Sequence, residues 1–225
     1  DGAFGERRLV AEIDQGGDEI VVAPSRCRRR ARGGKLGGQS LQLVAQFDHH
    51  ALDFLPRWGI EPVFVDLADA GATAAALGAP GLSPALLWAE TPTNPQLEIL
   101  DLRPLAEAAH AAGARLLVDG TFATPALQRP LASGADIVLH STTKYMGGHS
   151  DVLGGALVFA GTGDGLAEAV GKTRRRLGGT ASPFSSWLIL RGLRSLACRM
   201  ERHSTNALAL ARALSGHPAL AQVLY

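Results

Sequence analysis

Short apolar runs alternate along this chain with longer stretches in which apolar residues recur every three or four positions. The runs Glu19–Ala23, Pro62–Asp66, Ala85–Glu90, Arg115–Asp119, Ile137–His140 and Ala156–Phe159 are rich in Val, Ile, Leu or Phe and carry few charges. That is the pattern of strands covered on both faces. Asp101–Ala112 is the clearest helix between them: Asp101 can cap it, Leu102, Leu105 and Ala109 share a face, and Gly113 ends it. The alternation predicts an α/β fold with a mostly parallel sheet flanked by helices. After Phe159 the strands stop, and Gly165–Leu177, Pro183–Leu196 and Met200–Leu214 read as successive helices. The expected division is therefore a core over residues 1–160 and a helical segment over 161–225. Ser25–Ser40, dominated by glycine and basic residues, is assigned as a loop.

Composition narrows the class. Apolar residues make up 46% and charged residues 19% of the chain, a globular balance that excludes a disordered one. Glycine is in heavy demand, at 27 of 225 residues, against an average of about 7%. Two cysteines, Cys27 and Cys198, cannot make a disulfide framework, and no Cys/His cluster suggests zinc. Runs such as Gly154–Ala160 are too short to cross a bilayer, and the opening Asp-Gly-Ala-Phe-Gly-Glu-Arg-Arg does not read as a signal peptide. A cytoplasmic protein with no membrane partner is the expectation. The net charge of +1 hides an asymmetry. Arg26, Arg28, Arg29, Arg30, Arg32 and Lys35 cluster with no acidic neighbour, leaving 16 basic against 21 acidic residues elsewhere. A nucleic-acid stripe and a solvated basic loop both fit that cluster. With no aromatic residue among the arginines to stack on a base, the loop is preferred and no nucleic acid is expected as a partner.

In open α/β sheets ligands bind beyond the carboxyl ends of the strands, and three of the expected strands end in polar residues. Ala85–Glu90 runs into Thr91-Pro92-Thr93-Asn94-Pro95, Arg115–Val118 into Asp119-Gly120-Thr121, and Ile137–Leu139 into His140-Ser141-Thr142-Thr143-Lys144. Taken singly, Asp119 reads as a turn residue, Lys144 as a solvated amine, and Ser141 and Thr143 as helix-capping hydroxyls. Together they are what pyridoxal 5'-phosphate (PLP) needs. Its aldehyde requires a lysine, its pyridine nitrogen an acidic partner, and its phosphate hydroxyls and backbone N–H groups in a glycine-rich turn.

The segments Trp88–Pro95, Val118–Pro125 and Ala135–Asp151 resemble the Cys/Met-metabolism family of PLP enzymes, which holds cystathionine γ-synthase, the cystathionine lyases, methionine γ-lyase and the O-acylhomoserine sulfhydrylases. The likeness continues through Ser182-Pro183-Phe184, Leu190–Leu196 and Arg199–His203. It is visible earlier in Gly17–Val22 and Leu55–Ile60, and it covers nearly all of positions 55–225. It implies the large domain of the fold-type-I aminotransferase architecture over the core, followed by the start of a helical C-terminal extension. It also implies Lys144 as Schiff-base lysine and proton shuttle, Asp119 at the ring nitrogen, Ser141 and Thr143 at the phosphate and Asn94 near the ring hydroxyl. Glu90 and Thr121 would support the ring from behind, and His149 reads as a turn residue rather than a catalytic one. A lysine that works as general acid and base is expected to sit in a desolvated pocket beside a cationic ring. The implied reaction is elimination or replacement at Cβ or Cγ of a sulfur-containing or O-acylated amino acid of the homoserine-ester, cystathionine or methionine class. The implied partners are a small amino-acid substrate and further copies of the chain in a homo-oligomer.

The sequence departs from the family pattern at several points. Asp1-Gly2-Ala3 falls where the family has a Ser-Gly-Met phosphate loop. The Tyr-Gly-Gly segment that stacks on the cofactor is replaced by the arginine-rich 25–40 region, and Phe47, His49 and His50 are poor substitutes for its tyrosine. The usual Asp-Asn-Thr reads Asp119-Gly120-Thr121. The domain carrying a carboxylate-clamping arginine is expected to be missing beyond Tyr225. The alternative is accordingly a truncated or degenerate member without catalysis.

Overall fold

The computed structural model describes residues 41–43, 55–161 and 163–225. The expected strand Glu19–Ala23, the basic loop Ser25–Ser40 with Cys27, the Asp1-Gly2-Ala3 position and the rings of Phe47, His49 and His50 lie outside the described residues. The chain divides into two compact units, one of residues 1–89 with 101–117 and one of residues 90–100 with 118–225.

The described part of the first unit holds strands β1 (Leu41–Leu43) and β2 (Ile60–Pro62) and most of β3 (Leu86–Glu90) and β4 (Arg115–Asp119), in the order β2-β1-β3-β4. β1 runs parallel to both neighbours, with Leu41 opposite Ile60 and Leu43 opposite Leu86. β2 was expected over Pro62–Asp66 and instead ends at Pro62. A strand lasts as long as its ladder, and β1 offers only three residues, too few in a glycine-rich surrounding to be read from the sequence. Past Pro62 the chain turns, with Asp66 Oδ1 accepting from Ala68 N at 2.9 Å. Helix α1 (Ala70–Leu77) is capped by Asp69, whose carboxylate accepts from Gly71 N and Ala72 N. Helix α2 (Leu102–Ala111) matches expectation. Asp101 accepts from Arg103 N at 3.2 Å, Leu102, Leu105, Ala106 and Ala109 are buried, and Gly113 (φ +74°) takes the left-handed turn that ends it. α1 packs on α2, and Leu87, Ala89, Leu116 and Leu117 complete the core. Adjacent buried residues in β4 mean that both of its faces are covered.

The second unit holds the carboxyl ends of β3 and β4, then β5 (Ile137–Ser141) and β6 (Gly155–Phe159), paired antiparallel with Ile137 opposite Phe159 and Ser141 opposite Gly155. The sheet is mixed but mostly parallel and flanked by helices, so the expected fold class holds. A short helix α3 (Thr124–Leu127) is followed by α4 (Leu166–Leu177), α5 (Pro183–Leu193) and α6 (Leu196–Leu214). The sequence pattern started the last helix at Met200. It begins four residues earlier because Leu196 and Met200, one turn apart, are buried on the same face. Among the described residues no helix is long and apolar enough to cross a membrane, and no group of three His, Cys, Asp or Glu side chains is placed to hold a metal.

Candidate active site

The site residues proposed from the sequence all fall in the second unit, at or just beyond the carboxyl ends of β3, β4 and β5. Beyond β3 the loop is stapled by two buried threonines. Thr91 Oγ1 accepts from Leu100 N at 3.0 Å, and Thr93 Oγ1 accepts from Glu98 N at 2.9 Å. With their hydroxyls so engaged, Thr91 and Thr93 are buried without an unsatisfied oxygen. They fix the backbone on which Asn94 is exposed. Sequence reasoning gave these two threonines no role; the signal was a hydroxyl on either side of Pro92, where local backbone bonding is common.

Asp119 ends β4. Its Oδ1 accepts from Thr121 N at 2.8 Å, and its carbonyl accepts from Thr91 N at 3.3 Å. Thr121 Oγ1 in turn accepts from Ser141 N at 2.8 Å, and Gly120 N donates to Leu139 O at 2.9 Å, so the ends of β4 and β5 are tied together. Glu90 belongs to the same cluster. Burial, with the charge of Asp119 second, pushes its carboxyl up to about 7, against the opposing effect of the Asn94 backbone. Asp119 thus faces a neighbour that is half protonated near neutrality.

That shift makes a testable stability statement. Glu90 binds its proton more tightly in the folded chain than at the unfolded value of 4.5. Between these limits the native state therefore holds more protons than the unfolded one, and stability falls as pH rises from about 4.5 to about 7. Glu90→Gln is expected to remove that decline and to be more stable than the parent at pH above 7. Denaturant titrations across the range check it, and an unchanged slope in the variant sinks the assignment.

His140, on β5, is buried with Nδ1 lacking a hydrogen-bond partner. Burial holds its imidazole below the ordinary value, while the Gly120 backbone and the Asp119 charge act the other way. A Cβ at Gly120 would lie 3.0 Å from His140 Cε1 and 3.4 Å from Val138 Cγ1. In this chain a side chain at 120 would crowd the imidazole, which would have to give way.

Lys144 sits on Thr142–Met146, a single wide helical turn closed by Gly147 N donating to Thr142 O at 2.8 Å. Such i→i+5 turns gather at functional sites. The turn is broken at Lys144 itself (φ −84°, ψ −125°). The lysine is exposed on the wall of a cavity of about 760 Å3, shared with Thr143, Tyr145, Asp151, Arg199 and His203 among others. That volume lies within the range of roughly 300–1,000 Å3 typical of small-molecule pockets. Its amine has no hydrogen bond or ion pair to any described residue. The described residues therefore do not supply the burial that a desolvated pocket would require. Asp119, Ser141 and Asn94 are not on that wall. Thr143 is, but its hydroxyl accepts from Gly154 N at 2.9 Å and donates to Gly154 O at 3.3 Å, so its one proton is engaged in holding the turn. His149 Nδ1 lies 2.8 Å from Gly147 O, as suits a turn residue.

By residue type the donor set fits PLP: an amine without a partner among the described residues, a carboxylate at the end of the adjacent strand, and the hydroxyls of Ser141 and Thr143 on the chain leading to the amine. Fold and site together define an α/β protein built to take a ligand at the carboxyl ends of its strands. The chain belongs to the Cys/Met metabolism PLP-dependent enzyme family, which it matches over residues 48–225. It is 47% identical to cystathionine gamma-synthase of Mycobacterium leprae over 169 residues, which are 75% of this chain and 42% of that protein. It is 41% identical to O-succinylhomoserine sulfhydrylase of Pseudomonas aeruginosa over 217 residues, 96% of this chain and 48% of that one. Among solved structures, cystathionine gamma synthase from Xanthomonas oryzae pv. oryzae in complex with aminoacrylate and cysteine superposes with a TM-score of 0.70 at 46% identity, over 76% of this chain and 43% of the other. A cystathionine gamma lyase from Micromonospora echinospora gives 0.72 at 41% identity, over 77% and 45%. The chain thus spans less than half the length of these relatives.

Proposed function

We propose that this chain carries the PLP-binding core of an enzyme that eliminates or replaces a substituent at Cβ or Cγ of a small amino acid. The substrate class is a homoserine ester, cystathionine or methionine. The observation that carries the reading is the Lys144 amine, without a partner among the described residues and on a cavity wall, on the turn following β5, whose neighbour β4 ends in Asp119. The names of the relatives support the reaction class. Residues 1–160 would form the cofactor core and 161–225 the helical segment that follows it.

In this reading Lys144 would hold the aldehyde carbon of PLP, Asp119 the ring nitrogen, Ser141 and Thr143 the phosphate, and Asn94 the ring hydroxyl. Because Thr143 Oγ1 already donates to Gly154 O, Thr143 serves the phosphate through its place on the turn unless that bond opens. PLP supplies an electron sink that stabilises negative charge at the substrate α-carbon. Once the substrate amine has displaced it from that aldehyde carbon, the Lys144 amine would be free to take the proton from the α-carbon and return it to a neighbouring one, general acid–base work worth about 10²–10⁴-fold. Thr121 fixes the carboxylate of Asp119 through its N–H and anchors the Ser141 backbone through its hydroxyl. The working form is a homo-oligomer in the cytoplasm. Supporting self-association, the apolar side chains of Phe184, Trp187 and Leu190 on α5 are exposed, the kind of face that marks an interaction surface.

The test is product analysis with the PLP-loaded chain. It is offered O-succinylhomoserine with cysteine, cystathionine alone, or methionine alone. At least one is expected to give cystathionine, or ammonia with a keto acid. A loaded chain that turns over none of them overturns the enzymatic reading and leaves the inactive alternative.

A further inference from the structure

We propose that Arg199 is the positioning residue for Lys144, an inference that rests on the reading of Lys144 as the PLP lysine. The turn carrying Lys144 is held on one side by Thr143, whose hydroxyl bonds both polar atoms of the Gly154 backbone. On the other side is the guanidinium of Arg199, in the first turn of α6. Its Nη1 donates to Tyr145 O at 2.7 Å, Nη2 to Gly192 O at 2.8 Å, and Nε to Ser195 Oγ at 3.0 Å. Ser195 Oγ donates in turn to Gly192 O at 3.2 Å.

Every partner of this charge among the described residues is neutral. A guanidinium with five donors in a rigid fork and no carboxylate among its partners is bonded as a clamp on backbone carbonyls. The clamped carbonyl, that of Tyr145, directly follows Lys144, and the carbonyl of Lys144 itself accepts from Gly148 N at 2.8 Å. Arg199 thereby holds the peptide that follows Tyr145, one residue past Lys144, on the same cavity wall as the amine, while the Gly148 N–H holds the peptide that directly follows Lys144.

The surrounding glycines agree. A Cβ at Gly148 (φ +75°) would collide with the Arg199 guanidinium, and one at Gly192 would collide with the carbonyl oxygens of Met146 and Gly147. Both positions lack a side chain where the arginine and the end of α5 approach the turn. Three of its five N–H groups, one on each nitrogen, are committed to the turn and to the residues leading into α6, and Nε, which a side-on fork toward a carboxylate would need, is engaged by Ser195 Oγ.

The experiment uses Arg199→Met and Arg199→Lys in the full chain, with two readouts. The first is amide hydrogen exchange without PLP. Arg199→Met is expected to lose protection at Gly147 and Gly148 by roughly 10–100-fold, the factor that a lost hydrogen bond from a charged donor represents. Gly120, bonded to Leu139 O, is expected to keep its protection. The second is the rate at which PLP is captured and fixed at Lys144 by borohydride, located by peptide mapping. Capture is expected to slow by a similar factor in Arg199→Met and to recover partly in Arg199→Lys, which keeps the charge but not the fork. Unchanged exchange at Gly147 and Gly148 overturns the proposal, as does a loss of protection that extends equally to Gly120. Failure of the parent chain to capture PLP would instead strike the functional reading, and the exchange measurement would still decide the role of Arg199.

Discussion

Replacing Lys144 by alanine is expected to abolish borohydride-fixable capture of PLP while leaving the unfolding transition where it was. The two halves of this expectation have separate physical grounds. The chain contains three lysines, Lys35, Lys144 and Lys172, so few amines compete for the aldehyde. Lys172 is held by Glu168 one helical turn away at 2.6 Å, and Lys35 lies outside the described residues. Of the two described lysines, Lys144 is the one on the cavity wall and without a partner among the described residues. Because its side chain is exposed and bonded to none of the described residues, its truncation leaves no unsatisfied group among them and is expected to shift stability by no more than about 0.5 kcal/mol. Any turnover would fall by at least about 10²–10⁴-fold, the share that a positioned general acid–base supplies. Lys144→Arg sharpens the test. It keeps the positive charge, but a guanidinium cannot be deprotonated in a protein and so cannot act as the nucleophilic amine. Absorbance in the visible, peptide mapping after borohydride and a denaturant curve together read the outcome. Capture that persists at position-independent levels in both variants would show that Lys144 is not the PLP lysine.

The second large effect is expected at Gly192. Alanine in a helix interior ordinarily gains about 0.5–1 kcal/mol over glycine. Here the added Cβ would meet backbone, the carbonyl oxygens of Met146 and Gly147, with no flexible side chain to give way. Overpacking of that kind costs about 1–3 kcal/mol and occasionally more, so the clash wins and Gly192→Ala is expected to be destabilising by about 2 kcal/mol net. For a chain of this size that is a fall in Tm of roughly 4–8 °C. Gly171→Ala in α4 is the control, because its nearest neighbour is the end of the Arg175 side chain at 3.6 Å. There the helix preference acts unopposed and a small gain is expected. Thermal unfolding of the pair, measured side by side, checks the sign of each. A neutral or stabilising Gly192→Ala would mean that α5 does not approach the Lys144 turn as described. A destabilised variant should also capture PLP more slowly, since the obstructed carbonyls belong to the two residues that close that turn.

Much of the fold was legible because it is written in local spacing. The apolar runs at Leu86–Glu90, Arg115–Asp119 and Ile137–Ser141, and the cap-and-glycine frame of Leu102–Ala111, involve residues no more than a dozen positions apart. Boundaries failed where a distant partner set them. β2 took its length from β1, and α6 took its start from the shared burial of Leu196 and Met200. Gly192 carried a signal that went unread: a glycine inside a helical pattern often marks a close approach.

By itself the sequence determined which chemical groups stand at the ends of which strands. The order of apolar runs and the side chains that follow each are properties of neighbouring residues, and Asp119, Ser141, Thr143 and Lys144 are all displayed that way. Tertiary structure alone decided what those groups are bonded to. The Thr143 hydroxyl is engaged by Gly154 eleven residues away, and the Tyr145 carbonyl by Arg199 fifty-four residues away. A hydrogen bond depends on the distance between two atoms in space, and no local pattern fixes that distance between segments so far apart along the chain.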